Sequence, residues 1–145
     1  MHIDSLAAMT ESRLRTIETG ASVRAAAETL ATGDAGLVIV REPRGTAVGV
    51  ISKSDLVRHL ARSGSAKAGA AGLMTQDLFS CRPGDDIRAV WKEMTARRLQ
   101  NLPVLDGAAK PIGILDVRDV MRAILAREEL EEQALADYIA GVGYR

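Results

Sequence analysis

Only one cysteine, Cys81, occurs in the 145 residues, which excludes an intrachain disulfide and a thiol metal cluster and fits a reducing compartment. Aromatics are nearly as scarce, with one Phe, one Trp and two Tyr, so the core must be built from Val, Ile, Leu, Met and Ala at close helix–sheet contacts. Net charge is missing as well. Nineteen basic and nineteen acidic side chains cancel, leaving no positive field to hold nucleic acid or an acidic membrane surface. No run is long and apolar enough to cross a bilayer, and Met1-His-Ile-Asp-Ser5 places an acid where a signal peptide is basic. A soluble cytoplasmic protein is the expectation. Two histidines, His2 and His59, do not make a metal site. The length suits one compact domain, or two small halves that share a core.

What is present is a repeat. Gly49-Val-Ile-Ser-Lys-Ser-Asp55 returns 64 residues later as Gly113-Ile-Leu-Asp-Val-Arg-Asp119. The same spacing carries Leu56, Val57, Leu60 and Ala61 onto Val120, Met121, Ile124 and Leu125. A period above the solenoid range, present twice, predicts two similar subdomains packed on each other, with function where they meet.

Each copy reads β-α-β-β-α. An extended segment enters a turn, Arg15 to Gly20 in the first copy and Phe79 to Gly84 in the second. Ser22 and Asp86 are natural N-caps, followed by the stripes Val23, Ala26, Ala27, Leu30 and Ile87, Val90, Trp91, Met94. Leu37-Val-Ile-Val40 and Leu102-Pro-Val-Leu105 are short enough to be buried strands, with Pro103 at a strand's start or edge. Matching these runs by residue type shifts the repeat to 65 residues, implying one extra residue before the second copy's strand and a loop one shorter after it. Val48 to Ile51 and Ile112 to Leu115 are the next strands, and a second helix closes each copy. The predicted organisation is a first repeat over 1–63, a flexible small-residue linker over 64–72, a second repeat over 73–127, and a C-terminal helix and tail over 128–145. Met9-Thr10 and Met74-Thr75 mark equivalent entrances. The last helix carries charges on one side and Leu130, Ala134, Leu135, Tyr138 and Ile139 near the other, ends at Gly141, and leaves 142–145 loose.

With both β-α-β-β-α units, a Leu-Pro-Val-Leu-Asp strand and the doubled Gly-h-h-Ser-x-x-Asp pattern (h apolar), the chain resembles a tandem pair of CBS domains over nearly its whole length. That resemblance implies an α/β fold in which two repeats pack across a pseudo-twofold axis and leave two clefts for adenosine-containing ligands. It also implies a stand-alone regulatory module, not an enzyme, that binds AMP, ADP or ATP, senses energy state, signals occupancy to an unidentified partner and forms a flat homodimer. No cofactor is required. The motif lies where a buried strand hands over to a helix N-terminus, where free amides and the helix dipole favour phosphate. By resemblance, Ser52 and Ser54 donate to phosphate and Asp55 accepts the two ribose hydroxyls. The opposite repeat supplies Gln76, Phe79, Leu99, Gln100 and Asn101 around the adenine.

The second cleft, built on Asp119 with Ala35 and Gly36 opposite, is expected to differ. Asp116 replaces the serine and repels phosphate, while Arg118 lies where it can neutralise Asp116 or reach a ligand in the first cleft. Ser52-x-x-Asp55 also reads as a capping box needing no ligand, and Asp116-x-x-Asp119 fits that reading better than a binding one. Competing functions are a ligand-free structural or interaction module, and a sensor of S-adenosylmethionine or NAD, which share the adenosine half. Cys81 lacks a nearby His to activate it and reads as structural. His59 reads as solvated or capping. Glu128, Glu129, Glu131 and Glu132 read as the wet face of a helix, with Ca²⁺ or a basic partner as the alternative, and Arg97-Arg98 as a solvated helix end.

Overall fold

The computed structural model describes residues 1–34 and 36–143. After a 3-10 turn, Ile3–Leu6, the short helix α1 (Ala7–Ser12) leads into the first unit: β1 (Thr16–Glu18), α2 (Val23–Leu30), β2 (Leu37–Arg41), β3 (Ala47–Ser52) and α3 (Lys53–Ala61). The second unit follows a 3-10 turn at Ala70–Gly72 and comprises α4 (Ile87–Arg97), β4 (Asn101–Leu105), β5 (Pro111–Asp116) and α5 (Val117–Gly143). The two N-caps form as the sequence predicts. Ser22 accepts the Ala25 amide at 3.1 Å and Asp86 the Ala89 amide at 3.0 Å. Of the predicted stripe on α2, Val23, Ala26 and Leu30 are buried, whereas Ala27 falls outside the covered face and is exposed.

Strand register corrects the expected one-residue slip. Leu37, Val38, Ile39, Val40 and Arg41 of β2 face Ser52, Ile51, Val50, Gly49 and Ala47 of β3. Asn101, Leu102, Pro103, Val104 and Leu105 of β4 face Asp116, Leu115, Ile114, Gly113 and Pro111 of β5. The offset is 64 residues at every pair, and even the irregularity before the last pair recurs. Residue type misleads here because Leu37 is replaced by Asn101 and Arg41 by Leu105, while backbone hydrogen bonds, not side-chain similarity, set register.

Pro103 lies mid-strand and explains why the two sheets differ. In the first unit β1 pairs in parallel with β2, and the Ile39 amide donates to the Arg15 carbonyl at 2.9 Å. Pro103 and Phe79 occupy the equivalent positions, and proline has no amide to give. The second sheet therefore has two strands, and its third reduces to an isolated parallel bridge between Cys81 and Val104. The Cys81 amide donates to Pro103 and its carbonyl accepts from Leu105, both at 2.9 Å.

The leading segments are exchanged between units. Ile3 and Leu6 are buried in the core of the second unit with Ile87, Met94, Leu102 and Leu115, although they precede the first. The segment read as a flexible linker is packed on the first unit, with Ala70 fully buried beside Val23 and Ile51. Its backbone is also engaged: the Val23 amide donates to Ala68 at 2.8 Å, Arg24 to Ala66 at 2.9 Å and Ala70 to Ala21 at 2.8 Å. Small side chains let this segment lie flat on α2. Each exchanged segment crosses the glycine of the opposite motif. A Cβ on Gly49 would sit 2.5 Å from Met74 Sδ, and one on Gly113 would sit 2.8 Å from Thr10 Oγ1. Met74 and Thr10 are themselves 64 residues apart, so the repeated glycine serves one packing purpose twice.

A third cluster, Leu37, Ile39, Ala47, Leu105 and Ile114, seals the faces of the two sheets against each other. The expected C-terminal helix is not separate, because α5 continues without a break through the boundary placed at 127 and past Gly141 to Gly143. From Ala126 to Gly141 its residues are exposed on every side. Tyr144 and Arg145 of the expected loose tail lie outside the described residues.

Candidate functional site

Where the units meet, the structure leaves a groove of about 790 Å³. Its walls obey the repeat: Asp34 and Arg98, Gly36 and Gln100, Leu37 and Asn101, Ser52 and Asp116, Lys53 and Val117, and Ser54 and Arg118 are six pairs of equivalent positions. The pseudo-twofold axis thus passes through the groove. Arg118 Nη2 lies 2.9 Å from Asp34 Oδ2, so the helix start of one unit faces the helix–strand loop of the other. Ser54 and Arg98 are the equivalent pair on the other side of the axis.

The two halves have the same shape and different chemistry. One half offers Ser52, Lys53 and Ser54 at the start of α3, with Arg98, Leu99, Gln100 and Asn101 contributed by the second unit. The other offers Asp116, Val117 and Arg118 at the start of α5, with Asp34, Gly36 and Leu37 from the first unit. An anion is favoured at the first, where cations and hydroxyls gather at the start of a helix. Two carboxylates oppose it at the second.

At the start of α3 the capping box forms. Ser52 Oγ accepts from the Asp55 amide at 3.3 Å, and Asp55 Oδ2 accepts from the Ser52 amide at 2.8 Å. Ser54 Oγ lies 2.9 Å from Ser52 Oγ, and Arg58 Nη2 donates to Asp55 Oδ1 at 3.2 Å. Asp55 itself does not line the groove, and among the described residues its second oxygen is bonded by the exposed Arg58.

At the start of α5 no reciprocal box forms, which corrects the reading of Asp116-x-x-Asp119 as one. Asp116 Oδ1 accepts from the Arg118 amide at 2.8 Å and from Arg118 Nε at 3.0 Å, while Oδ2 accepts from Arg118 Nη2 at 2.7 Å. Burial raises the Asp116 carboxyl, but hydrogen bonds and charge from Arg118, with Arg13 behind it, outweigh burial and hold it below its ordinary value. The Asp34 carboxyl is lowered by its hydrogen bond to Arg118. Asp119, only 2% exposed, turns away from the cap to Arg13. Arg13 Nε donates to Asp119 Oδ2 at 2.7 Å and Nη2 to Oδ1 at 3.3 Å. A separate cavity of about 400 Å³ surrounds this pair, lined by Met9, Ser12, Arg13, Arg15, Asp34, Asp119 and Arg122.

The groove gathers Ser52, Ser54, Leu99, Gln100, Asn101 and Arg118 of the predicted first cleft, together with Gly36 and Asp116 of the second. Gln76 and Phe79 are not on its wall. Gln76 is exposed, and the half-buried Phe79 ring packs on the second core beneath the Arg97 guanidinium, 4.2 Å from its centroid. Ala35 lies outside the described residues. A Cβ on Gly36 would fall 2.4 Å from Asn101 Nδ2, so the glycine admits the neighbouring unit's amide. Sequence reasoning missed Lys53, Arg98 and Asp34 on the wall. Arg98 is no mere solvated helix end: it closes α4 in the left-handed conformation, φ 56°, which swings the chain into the groove. Applying the 64-residue offset to the Asp34 loop would have found it. Cys81 is 2% exposed, and burial pushes its thiol up to about 12, a structural environment and not a nucleophile's. The His59 ring lies 2.8 Å from the Ser65 carbonyl and fastens the turn after α3.

Comparison with known proteins matches the CBS domain family model twice, at residues 5–62 and 70–126. A curated relative, homoserine O-acetyltransferase of Methanococcoides burtonii, is 31% identical over 116 residues. The match takes in 80% of this chain, which spans 23% of that protein's length. Among solved structures, a CBS domain protein of Pyrobaculum aerophilum complexed with AMP superposes with a TM-score of 0.78 at 20% identity, over 88% of this chain and 97% of the other. The CBS domain pair of protein MJ0100, in complex with 5′-methylthioadenosine and S-adenosyl-L-methionine, superposes with a TM-score of 0.76 at 19% identity, over 88% of this chain and 98% of the other.

Proposed function

The chain belongs to the CBS domain family, and from that premise we propose that it is a regulatory module that binds an adenosine nucleotide, AMP, ADP or ATP, between its two units. The single observation that carries this reading is the asymmetry of the groove, with Ser52, Lys53, Ser54 and Arg98 on one side of the axis and Asp34 and Asp116 on the other. Phosphate would lie against the start of α3 and take hydrogen bonds from the two serine hydroxyls. Asp55 Oδ1 would accept from the ribose, with Arg58 giving way. Leu99, Gln100 and Asn101 would border the base, and Arg118 would exchange Asp34 for the outer phosphate.

Support also comes from the two solved CBS pairs above, complexed with AMP in one case and with 5′-methylthioadenosine and S-adenosyl-L-methionine in the other. S-adenosylmethionine is the second reading, favoured by that latter complex. The acetyltransferase activity of the curated relative does not transfer from so small a share of its length. Signalling requires that the nucleotide favour one arrangement of the units over another, and small rotations about the shared cluster of Leu37, Ile39 and Ile114 would provide it. Val57 and Leu60 on α3 and Met121 and Leu125 on α5 are large apolar residues left exposed, and through these two helices we infer a homodimer.

The test is calorimetric titration of AMP into nucleotide-stripped protein, with Asp55→Asn alongside. Saturable binding near one AMP per chain is expected. Hydrogen bonds to a charged group are worth about 1.5–3 kcal/mol each, so the variant should bind at least roughly tenfold more weakly. Equal binding by both proteins would remove Asp55 from the site. No heat from AMP or ATP, with saturation by S-adenosylmethionine, would favour the second reading.

A further inference from the structure

We propose that Arg13 is the built-in occupant of the second cleft, its guanidinium holding Asp119 in the place of a ribose and limiting the chain to one adenosyl ligand. This rests on the reading of the clefts as adenosine sites.

Asp119 is the equivalent of Asp55, the carboxylate assigned to the ribose of the first cleft. A guanidinium fork and a vicinal diol compete for the same two carboxylate oxygens, because each presents a pair of donors side by side. Arg13 already uses both oxygens, at 2.7 and 3.3 Å. Its own position is fixed. It follows α1, whose Thr10 is wedged against Gly113, and its Nη1 lies 3.6 Å from both Asp34 Oδ2 and Asp116 Oδ2. With its side chain 19% exposed, it is built into the wall. Room for a ligand exists around it, in the cavity of about 400 Å³, but the recognition group is taken.

The two copies isolate the cause. Arg58 and Arg122 are equivalent, each reaching the aspartate three residues earlier on its own helix, at 3.2 and 3.7 Å, so neither distinguishes the clefts. The equivalent of Arg13 in the other copy is Asp77, an exposed acid that cannot occupy Asp55. One residue at the lead-in to the first strand therefore decides which cleft is open.

Adenosine is the probe, since Asp116 stands where a phosphate would lie. In the Asp55→Asn background, which weakens the first cleft, adenosine should show no binding that depends on Asp119. Adding Arg13→Gln should produce one site per chain with at least a tenfold gain in affinity, which Asp119→Ala then abolishes. Arg13→Lys, a point charge that cannot chelate both oxygens, should give a weaker gain in the same direction. If Asp55→Asn alone binds adenosine through Asp119, or if folded Arg13→Gln and Arg13→Lys proteins gain nothing, the idea is wrong. Stability of the variants is bypassed by a measurement on the unaltered chain. The Arg13 Nε–H resonance should be protected from solvent exchange and stay so at saturating AMP; exchange as fast as that of exposed arginines would overturn the proposal. Absence of AMP binding to the unaltered chain, with Arg13 protected, would instead refute the function assigned to the first cleft.

Discussion

Asp55 carries two duties whose physical demands differ. Its Oδ2 closes the capping box on the Ser52 amide, a task that needs only an acceptor oxygen. Its Oδ1 would take the ribose, a task that gains from negative charge. Asparagine keeps an acceptor and loses the charge; alanine loses both. Asp55→Ala should therefore cost about 1 kcal/mol of unfolding free energy, the usual worth of a cap, while Asp55→Asn should stay within roughly 0.5 kcal/mol of the parent. Both should lose nucleotide affinity. Urea unfolding of the two variants separates the duties, and equal destabilisation by both would mean that the charge itself holds the helix start.

At the scale of elements, the motif glycines are crossing points, and what crosses them differs. A methyl on Gly49 would meet Met74 Sδ and Cγ, which can swing aside, and Met74 Cβ at 3.0 Å, which cannot, with no backbone atom among these three nearest. A methyl on Gly113 would meet Thr10 Cβ at 2.9 Å and its backbone carbonyl carbon at 3.0 Å, in the middle of a packed element. Gly113→Ala should cost about 1–3 kcal/mol by overpacking, and Gly49→Ala clearly less. Thermal unfolding of the two single variants decides it, and a reversed order would show that the Thr10 segment yields more readily than it packs. That exchange of segments was only half legible in the sequence. The twofold repeat, the N-caps Ser22 and Asp86 and most of the apolar stripes could be read because each is a local signal. The recurring Met9-Thr10 and Met74-Thr75 were visible too, but at 65 residues apart they fall one residue out of the repeat that equates Thr10 with Met74, and nothing local tells a leading segment which unit it will cover. Likewise Pro103 announced an edge, yet the bond that it withholds belongs to Phe79, and only the register against β5 reveals it. In the groove, the motif serines were legible from the pattern, whereas Arg98 needed a left-handed turn and Arg13 a partner 106 residues away.

The whole molecule is tied across its axis by charge. Arg118 joins Asp116 of the second unit to Asp34 of the first, and Arg13 lies within 3.6 Å of both acids while holding Asp119. Because the Asp116 carboxyl is held below its ordinary value of 3.8 in the folded chain, the folded state binds its proton less readily than the unfolded one. Its contribution to stability is therefore complete above that value and is lost as pH falls through it toward the lower folded value. Burial opposes this lowering, and Arg118 supplies most of what overcomes it. Arg118→Met removes the side-chain hydrogen bonds and the charge but keeps the backbone amide's bond and the charge of Arg13, so it should raise the Asp116 carboxyl relative to the parent and move the acid loss of stability to higher pH. Unfolding free energies measured by urea at intervals from pH 2.5 to 7 would reveal the shift, and superimposable acid limbs would mean that the tie across the axis contributes nothing. A nucleotide that draws Arg118 from Asp34 toward its phosphate would free the Asp34 carboxyl that Arg118 lowers, so the acid limb of the AMP-saturated protein should also move to higher pH, through Asp34 and not Asp116, even as binding stabilises the fold at neutral pH.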